Sequence, residues 1–181
     1  MATLTPHFRD FLPGWVARQT WYAGPEAPSL RPIGYLRFED PAGDVGMETH
    51  LLTDGASVYH LPMTYRGAPL DGATLIATAE HSELGSRWIY DAETDPVWVK
   101  TVLAMVLANG SAEGRLADAR GRLLTLERPE ASDLTLRVRR ILTAGRPTDA
   151  EGAIGVVTGT WRPDGPDAPP TRGWLATVHP R

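Results

Sequence analysis

The chain contains no cysteine. That excludes disulfides, a thiolate nucleophile and sulfur-bound zinc, and it fits a cytoplasmic protein. Lysine is nearly missing too: Lys100 is the one lysine among 18 basic residues. No apolar run approaches the ~20 residues needed to span a bilayer. The opening MATLTPHFRDF has no basic stretch leading into an apolar one, so neither a membrane anchor nor a secretory signal is expected.

What is present suits an ordinary globular fold. The 181 residues are 42% hydrophobic with a net charge of −4, which fits one domain, or one domain with an appended sheet. The negative balance argues against nucleic acid as a partner. The arginine excess reads first as genomic codon bias, with guanidinium recognition of anions as the functional alternative. Arg137, Arg139 and Arg140 form the densest cluster, expected on a solvated strand face.

Thr5-Pro6 reads as a helix start, with Thr5 as cap. Phe8, Phe11, Leu12, Trp15 and Val16 recur at helical spacing, and Pro13 predicts a kink or two short helices. Strand-like runs follow at Ile33–Glu39, Met47–Leu52, Ser57–Tyr65, Ala73–Glu80 and Ser86–Tyr90. Asp54-Gly55 predicts a tight primed hairpin turn. Asp95-Pro96 opens a second helix to about Ala108, with Val99, Val102, Leu103, Val106 and Leu107 as its buried stripe and Asn109-Gly110 as its stop.

Beyond Gly110 the pattern weakens. Ser111–Gly121 reads as a loop or weak helix. Arg122–Arg128, Leu134–Leu142, Ala153–Trp161 and Gly173–Val178 have strand length. Gly152, Gly155 and Gly159 are spaced like a nucleotide loop, but β-branched neighbours favour a strand with bulges or close strand packing. The expected fold class is α+β: a curled antiparallel sheet, an N-terminal helix, and the helix at 96–108 packed on one face. Residues 1–110 and 111–181 are the two regions, the second a β-rich extension of the same domain.

Candidate chemistry is sparse. His50 and His60, on the two hairpin strands, could approach one another and form a metal corner with Glu48, but the spacing shows no three convergent ligands, and no metal site is expected. Glu80-His81-Ser82 cannot be a triad, because adjacent side chains on a strand diverge. It reads instead as a polar network at a strand end, with His81 bonded to backbone and Arg87 paired with a carboxylate. Tyr65-Arg66-Gly67 and Arg87-Trp88…Tyr90-Asp91 combine aromatic faces with fixed polar groups, as sugar sites do.

Within Asp44–Pro96, the runs LPMTYRGAPL, EHSELGSRW and YDAETDP resemble the N-terminal cap of maltokinases. Closer still are short, free-standing maltokinase N-terminal cap-like proteins. The resemblance spans about the first three-fifths of the chain. Maltokinases phosphorylate maltose with ATP, yet no His-Gly-Asp-type loop, Asp-Phe-Gly-like metal site or Gly-x-x-x-x-Gly-Lys-Ser/Thr loop occurs here. The resemblance therefore implies a non-catalytic cap-like module near α-glucan or trehalose–maltose metabolism. Its partner would be a glucan- or maltose-processing enzyme. A sugar would be its small ligand. No catalytic residue and no cofactor are expected. Ligand-binding candidates are Tyr65, Arg66, Glu80, His81, Arg87, Trp88 and Asp91. The alternatives are a small enzyme or sensor with a pocket around Glu80, His81, Arg87 and Asp91, and a structural homo-oligomer.

Overall fold

Alternating strand patterns separated by Gly- and Pro-bearing turns produce a sheet that wraps one helix and carries a second on its outside. The computed structural model describes residues 2–181. In chain order the elements are β1 (Leu4–Thr5), α1 (Phe8–Ala17), β2 (Arg31–Phe38), β3 (Val45–Thr53), β4 (Val58–Arg66), β5 (Leu75–His81) and β6 (Gly85–Asp91). A 3-10 turn at Ala92–Thr94 leads into α2 (Pro96–Leu107). Then come β7 (Ser111–Arg115), β8 (Asp118–Leu123), β9 (Leu134–Val138), β10 (Ile141–Leu142), β11 (Gly155–Trp161) and β12 (Thr171–Pro180).

The twelve strands follow the order β1-β5-β6-β4-β3-β2-β7-β8-β11-β12-β9, with β10 on β4. Pairing between these strands is antiparallel throughout. β6 occupies one edge of β4 over Met63–Arg66, and β10 pairs at Val58–Tyr59, near the start of β4. The Arg139 N–H donates to Leu175 O on β12, while Arg140 O accepts from the His60 N–H on β4. The segment after β9 thus carries the last strands back to β4, and the sheet curls into a ring. The α+β class with a curled antiparallel sheet is what the structure has.

The two helices lie on opposite faces of the β3–β4 hairpin. α1 packs Leu12, Trp15 and Val16 against Leu52, Tyr59, Leu61, Met63 and Ile89. α2 packs Trp98, Val102, Leu103 and Val106 inside the ring, against β2, β3, β8, β9, β11 and β12. Strand alternation makes this possible: Met47 and Leu51 face α2, and Leu52 faces α1. The backbone of α2 approaches β8 so closely that a Cβ on Gly121 would sit 2.7 Å from Val106 Cα. On β11, a Cβ on Gly159 would lie 2.8 Å from Asp118 O. The glycine run there serves close strand packing, with a register shift between Val157 and Thr158.

Several local expectations need correction. α1 starts after His7, not Thr5: the Arg9 N–H donates to His7 Nδ1, and Asp10 accepts from the His7 N–H. Thr5 instead pairs with Glu80 in the sheet. Pro13 lies inside one uninterrupted helix, where it forfeits one backbone bond on a half-buried turn while its neighbours Leu12 and Trp15 stay buried. The Asp54-Gly55 connection spans four residues, because Thr53 pairs with Val58. Asp54 Oδ1 accepts from the Ala56 and Ser57 N–H groups at 2.9 and 2.8 Å, which stabilises the wider loop. Gly55, at φ +95°, supplies the left-handed residue.

Ser111–Gly121 is neither loop nor weak helix. It forms β7 and the first part of β8, and β7 bridges β2 to β8. The strand foreseen at Arg122–Arg128 ends at Leu123, and Leu134–Leu142 splits into β9 and β10 around Arg139 and Arg140.

Candidate functional site

Four groupings of polar side chains hold the residues that the sequence singles out. The first begins with α2. Asp95 caps the helix by accepting from the Val97 N–H at 3.0 Å. Its carboxylate is fully buried, and it takes a bidentate pair from Arg66, Nε and Nη2 each at 2.7 Å. Thr64 Oγ1 adds a bond at 2.7 Å. Burial pushes the Asp95 carboxyl up, but the bonds from Arg66, Thr64 and Val97 outweigh it and hold the group below its usual range. Arg66 is thereby a fastener between β4 and α2, with its fork already engaged.

The second grouping closes the ring. Arg140 Nη2 reaches Asp91 Oδ1 and Oδ2 at 2.8 and 2.7 Å and Glu93 Oε2 at 2.7 Å. Glu93 Oε1 accepts from the Val138 N–H at 2.8 Å. The Arg140 and Asp91 side chains are only 9% and 11% exposed, so Arg140 is not on a solvated face as its strand position suggested. The strand breaks there and turns the guanidinium inward. Burial raises the Asp91 carboxyl above its usual range, against the attraction of Arg140. His60, on the same inner face, gives Nδ1 to Arg139 O at 3.0 Å. Burial, reinforced by the Arg140 charge, lowers its pKa to about 3, so its ring is neutral.

A third grouping lies on the α1 side of β2, β3 and β4. Glu48 Oε1 accepts from Tyr35 OH at 2.9 Å. His50 Nε2 is 3.4 Å from Glu48 Oε2, without the alignment of a hydrogen bond, and Phe8 stacks obliquely on the His50 ring at 4.5 Å. Burial pushes Glu48 up, yet His50, Tyr35 and Tyr65 together hold it below its usual range. Burial and the Glu48 charge raise Tyr35 and Tyr65 above the ordinary phenol range. A carboxylate held ionised and phenols held protonated are the reverse of groups poised for proton transfer near neutral pH. Tyr65 belongs here, one residue from Arg66 but on the other face of β4.

His50 and His60 do not meet. His50 pairs with Leu61, and His60 with Leu51, which puts the two rings on opposite faces of the hairpin. Among the described residues no cluster of three metal-ligating side chains occurs.

The fourth grouping is the open one. Thr5, Thr78, Glu80, Ser86, Arg87 and Trp88 line a shallow depression at the β1–β5–β6 edge. Ser86 Oγ donates to Glu80 Oε1, and Arg87 Nη1 donates to Ser86 O at 2.9 Å. The carboxylate foreseen for Arg87 is absent among the described residues; Glu80 is engaged by Ser86. His81, the last residue of β5, sits outside the depression, and its Nδ1 accepts from the Glu83 and Leu84 N–H groups of the following turn, both at 3.2 Å. Its bonding to backbone is the arrangement expected from sequence. Asp91 lies at the far end of β6, on the order of 15–20 Å along the strand from Gly85 and Ser86. A single pocket around Glu80, His81, Arg87 and Asp91 is therefore not formed.

Comparison with protein families matches residues 15–95 to the maltokinase N-terminal cap domain. Over that segment, somewhat less than half of the chain, the sequence is similar to the cap family. The segment runs from Trp15 in α1 to Asp95, the cap residue of α2, and so takes in β2 to β6 and the 3-10 turn. The cap segment holds Tyr65, Arg66, Glu80, His81, Arg87, Trp88 and Asp91, but Arg140, which neutralises Asp91, lies beyond it. No curated protein matches the chain.

Sequence reasoning missed the partners rather than the positions. Glu48 and His50 are two apart on one strand, so they share a face, and Tyr35 stands opposite His50; that alternation was readable. Arg140 and Glu93 carried no such signal, because 47 residues separate them.

Proposed function

We propose that this chain is a non-catalytic, cap-like interaction module of the cytoplasm, docking on an enzyme that processes α-glucan, maltose or trehalose. One observation carries the reading: the chain following the cap segment clothes α2. Ten of the twenty-one buried residues in the core that contains that helix come from beyond Gly110, so the added strands complete a core instead of building a nucleotide site. The buried carboxylates agree with it, since Asp91, Glu93 and Asp95 are each spent on arginine and backbone partners.

The test is a binding assay against purified maltokinase and other maltose- or glucan-processing enzymes, backed by gentle co-purification. Stoichiometric complex formation with one of them is expected. A chain that elutes alone and binds none of them removes the proposal.

A second reading is favoured by the depression that brings Glu80, Ser86, Arg87 and Trp88 together: a sugar bound with one face on Trp88 and its hydroxyls on Glu80 and Arg87. A thermal-shift panel of maltose, trehalose, glucose phosphates and longer α-glucans decides it. Ligand at one hundred times its dissociation constant adds ~2.7 kcal/mol, a midpoint rise of roughly 5 °C or more at this chain length. Loss of the shift in Trp88→Ala would place the sugar there. Silence across the panel leaves the protein partner as the function.

A further inference from the structure

Inside the ring, between β3, β4 and α2, three polar side chains meet in an otherwise apolar core. Thr49, His60 and Trp98 are 1%, 3% and 2% exposed. All three line one small cavity, whose other walls include Leu36, Phe38 and Val102. Thr49 Oγ1 and Trp98 Nε1 have no hydrogen-bond partner among the described residues. Leaving two such groups dry in a core is destabilising, because each loses its bond to water and gains none in return. The cavity leaves about 10 Å³ open to a water-sized sphere, on the order of one water molecule.

The chemistry of the lining narrows the occupant. The Trp98 indole only donates, and the Thr49 hydroxyl can do either. A cation would face the indole N–H, and an anion would exchange its hydration shell for neutral donors in a low-dielectric interior. We propose that this cavity is a site for one tightly held water molecule, accepting from Trp98 Nε1–H and donating to Thr49 Oγ1. A buried water makes roughly two to four such bonds. The molecule pins α2 to the β3–β4 hairpin at a place where no direct side-chain bond does so, since Thr49 sits on β3 and Trp98 comes from the helix.

The experiment is water-selective NMR on the full chain, observing the Trp98 indole N–H, assigned through the Trp98→Phe variant or by triple-resonance connectivity. Cross-relaxation from a long-lived water to that proton is expected, together with its weakening in Thr49→Val. The same variant gives a sign test. A hydrated site loses a partner, and the melting temperature falls by several degrees. A dry cavity trades an orphan hydroxyl for a methyl group, and the melting temperature holds or rises. Absence of the wild-type cross-peak, or a Thr49→Val protein as stable as the parent or more so, overturns the proposal.

Discussion

The cores on the two sides of the β3–β4 hairpin are built by different rules. The α1 core draws its buried residues from Leu12 to Ile89, so one amphipathic helix and a short run of neighbouring strands complete it. The α2 core reaches from Ile33 to Val178 and is held by buried charge: Arg66 with Asp95, and Arg140 with Asp91 and Glu93. Aromatic contacts do the corresponding work on the α1 side, where Trp15, Trp21, Tyr22 and Tyr59 pack at about 6 Å between ring centres. The difference teaches that neighbouring elements near the start of the chain can finish one face while the other face depends on a distant stretch of chain.

Cutting the chain is the strongest way to break this comparison. A fragment ending at Gly110 should keep the α1 contacts but expose the inner face of α2. It should show no cooperative urea transition and should bind a hydrophobic dye; a sharp two-state transition would show that α2 needs no later strands.

Next in size is Arg140→Met. Removing one partner of a buried pair costs about 3–5 kcal/mol, here because Asp91 is left without its counter-charge; urea midpoints would show it. Trp15→Ala on the α1 side should cost a comparable ~3–5 kcal/mol but leave the salt dependence of unfolding unchanged, which distinguishes the two faces.

Acid should act on the α2 face through His60. Its folded pKa of about 3 lies below the ordinary imidazole value of 6.5, so below pH 6.5 the unfolded chain binds a proton that the folded one refuses. Stability should fall with pH from there, by up to ~1.4 kcal/mol per unit, and His60→Asn should flatten the slope between pH 6 and 4.5. Asp91, raised on folding, acts in the opposite sense nearer its own range, while Asp95 and Glu48, both lowered, lose their contributions as pH falls below the usual carboxylate range. The smallest effect belongs to Leu126→Ser. That side chain is fully exposed and belongs to neither core, so equilibrium stability should move by less than ~0.5 kcal/mol.

Much of the first hundred residues was legible. Asp95-Pro96 and Asn109 bound α2 as read, with Asn109 in the left-handed conformation at φ +49°. The buried stripe omitted Trp98, which lies one turn before Val102 and points the same way, while Val99 and Leu107 turned out half-buried. Ser111–Gly121 was illegible for a physical reason. Small and charged residues have weak strand propensity, and pairing with β2 and β11 overrides it. The polar groupings were half legible: Tyr65, Arg66, Glu80, Arg87, Trp88 and Asp91 are polar or aromatic residues on strands, but which of them meet depends on faces and ends of strands that sequence spacing alone does not order.

What the sequence by itself determined is local. It set the two helices, the hairpin at Asp54-Gly55, the strand alternation that gives β3 and β4 two apolar faces, and the cap character of residues 15–95. These depend on neighbours within a few residues, where periodicity and turn chemistry act. Only the tertiary structure decided that the sheet closes on itself, that Arg140 turns inward to Asp91 across 49 residues of chain, and that Thr49, His60 and Trp98 surround one cavity. Those outcomes follow from the curl of the whole sheet, which sums small twists over many strands and leaves no mark at any single position.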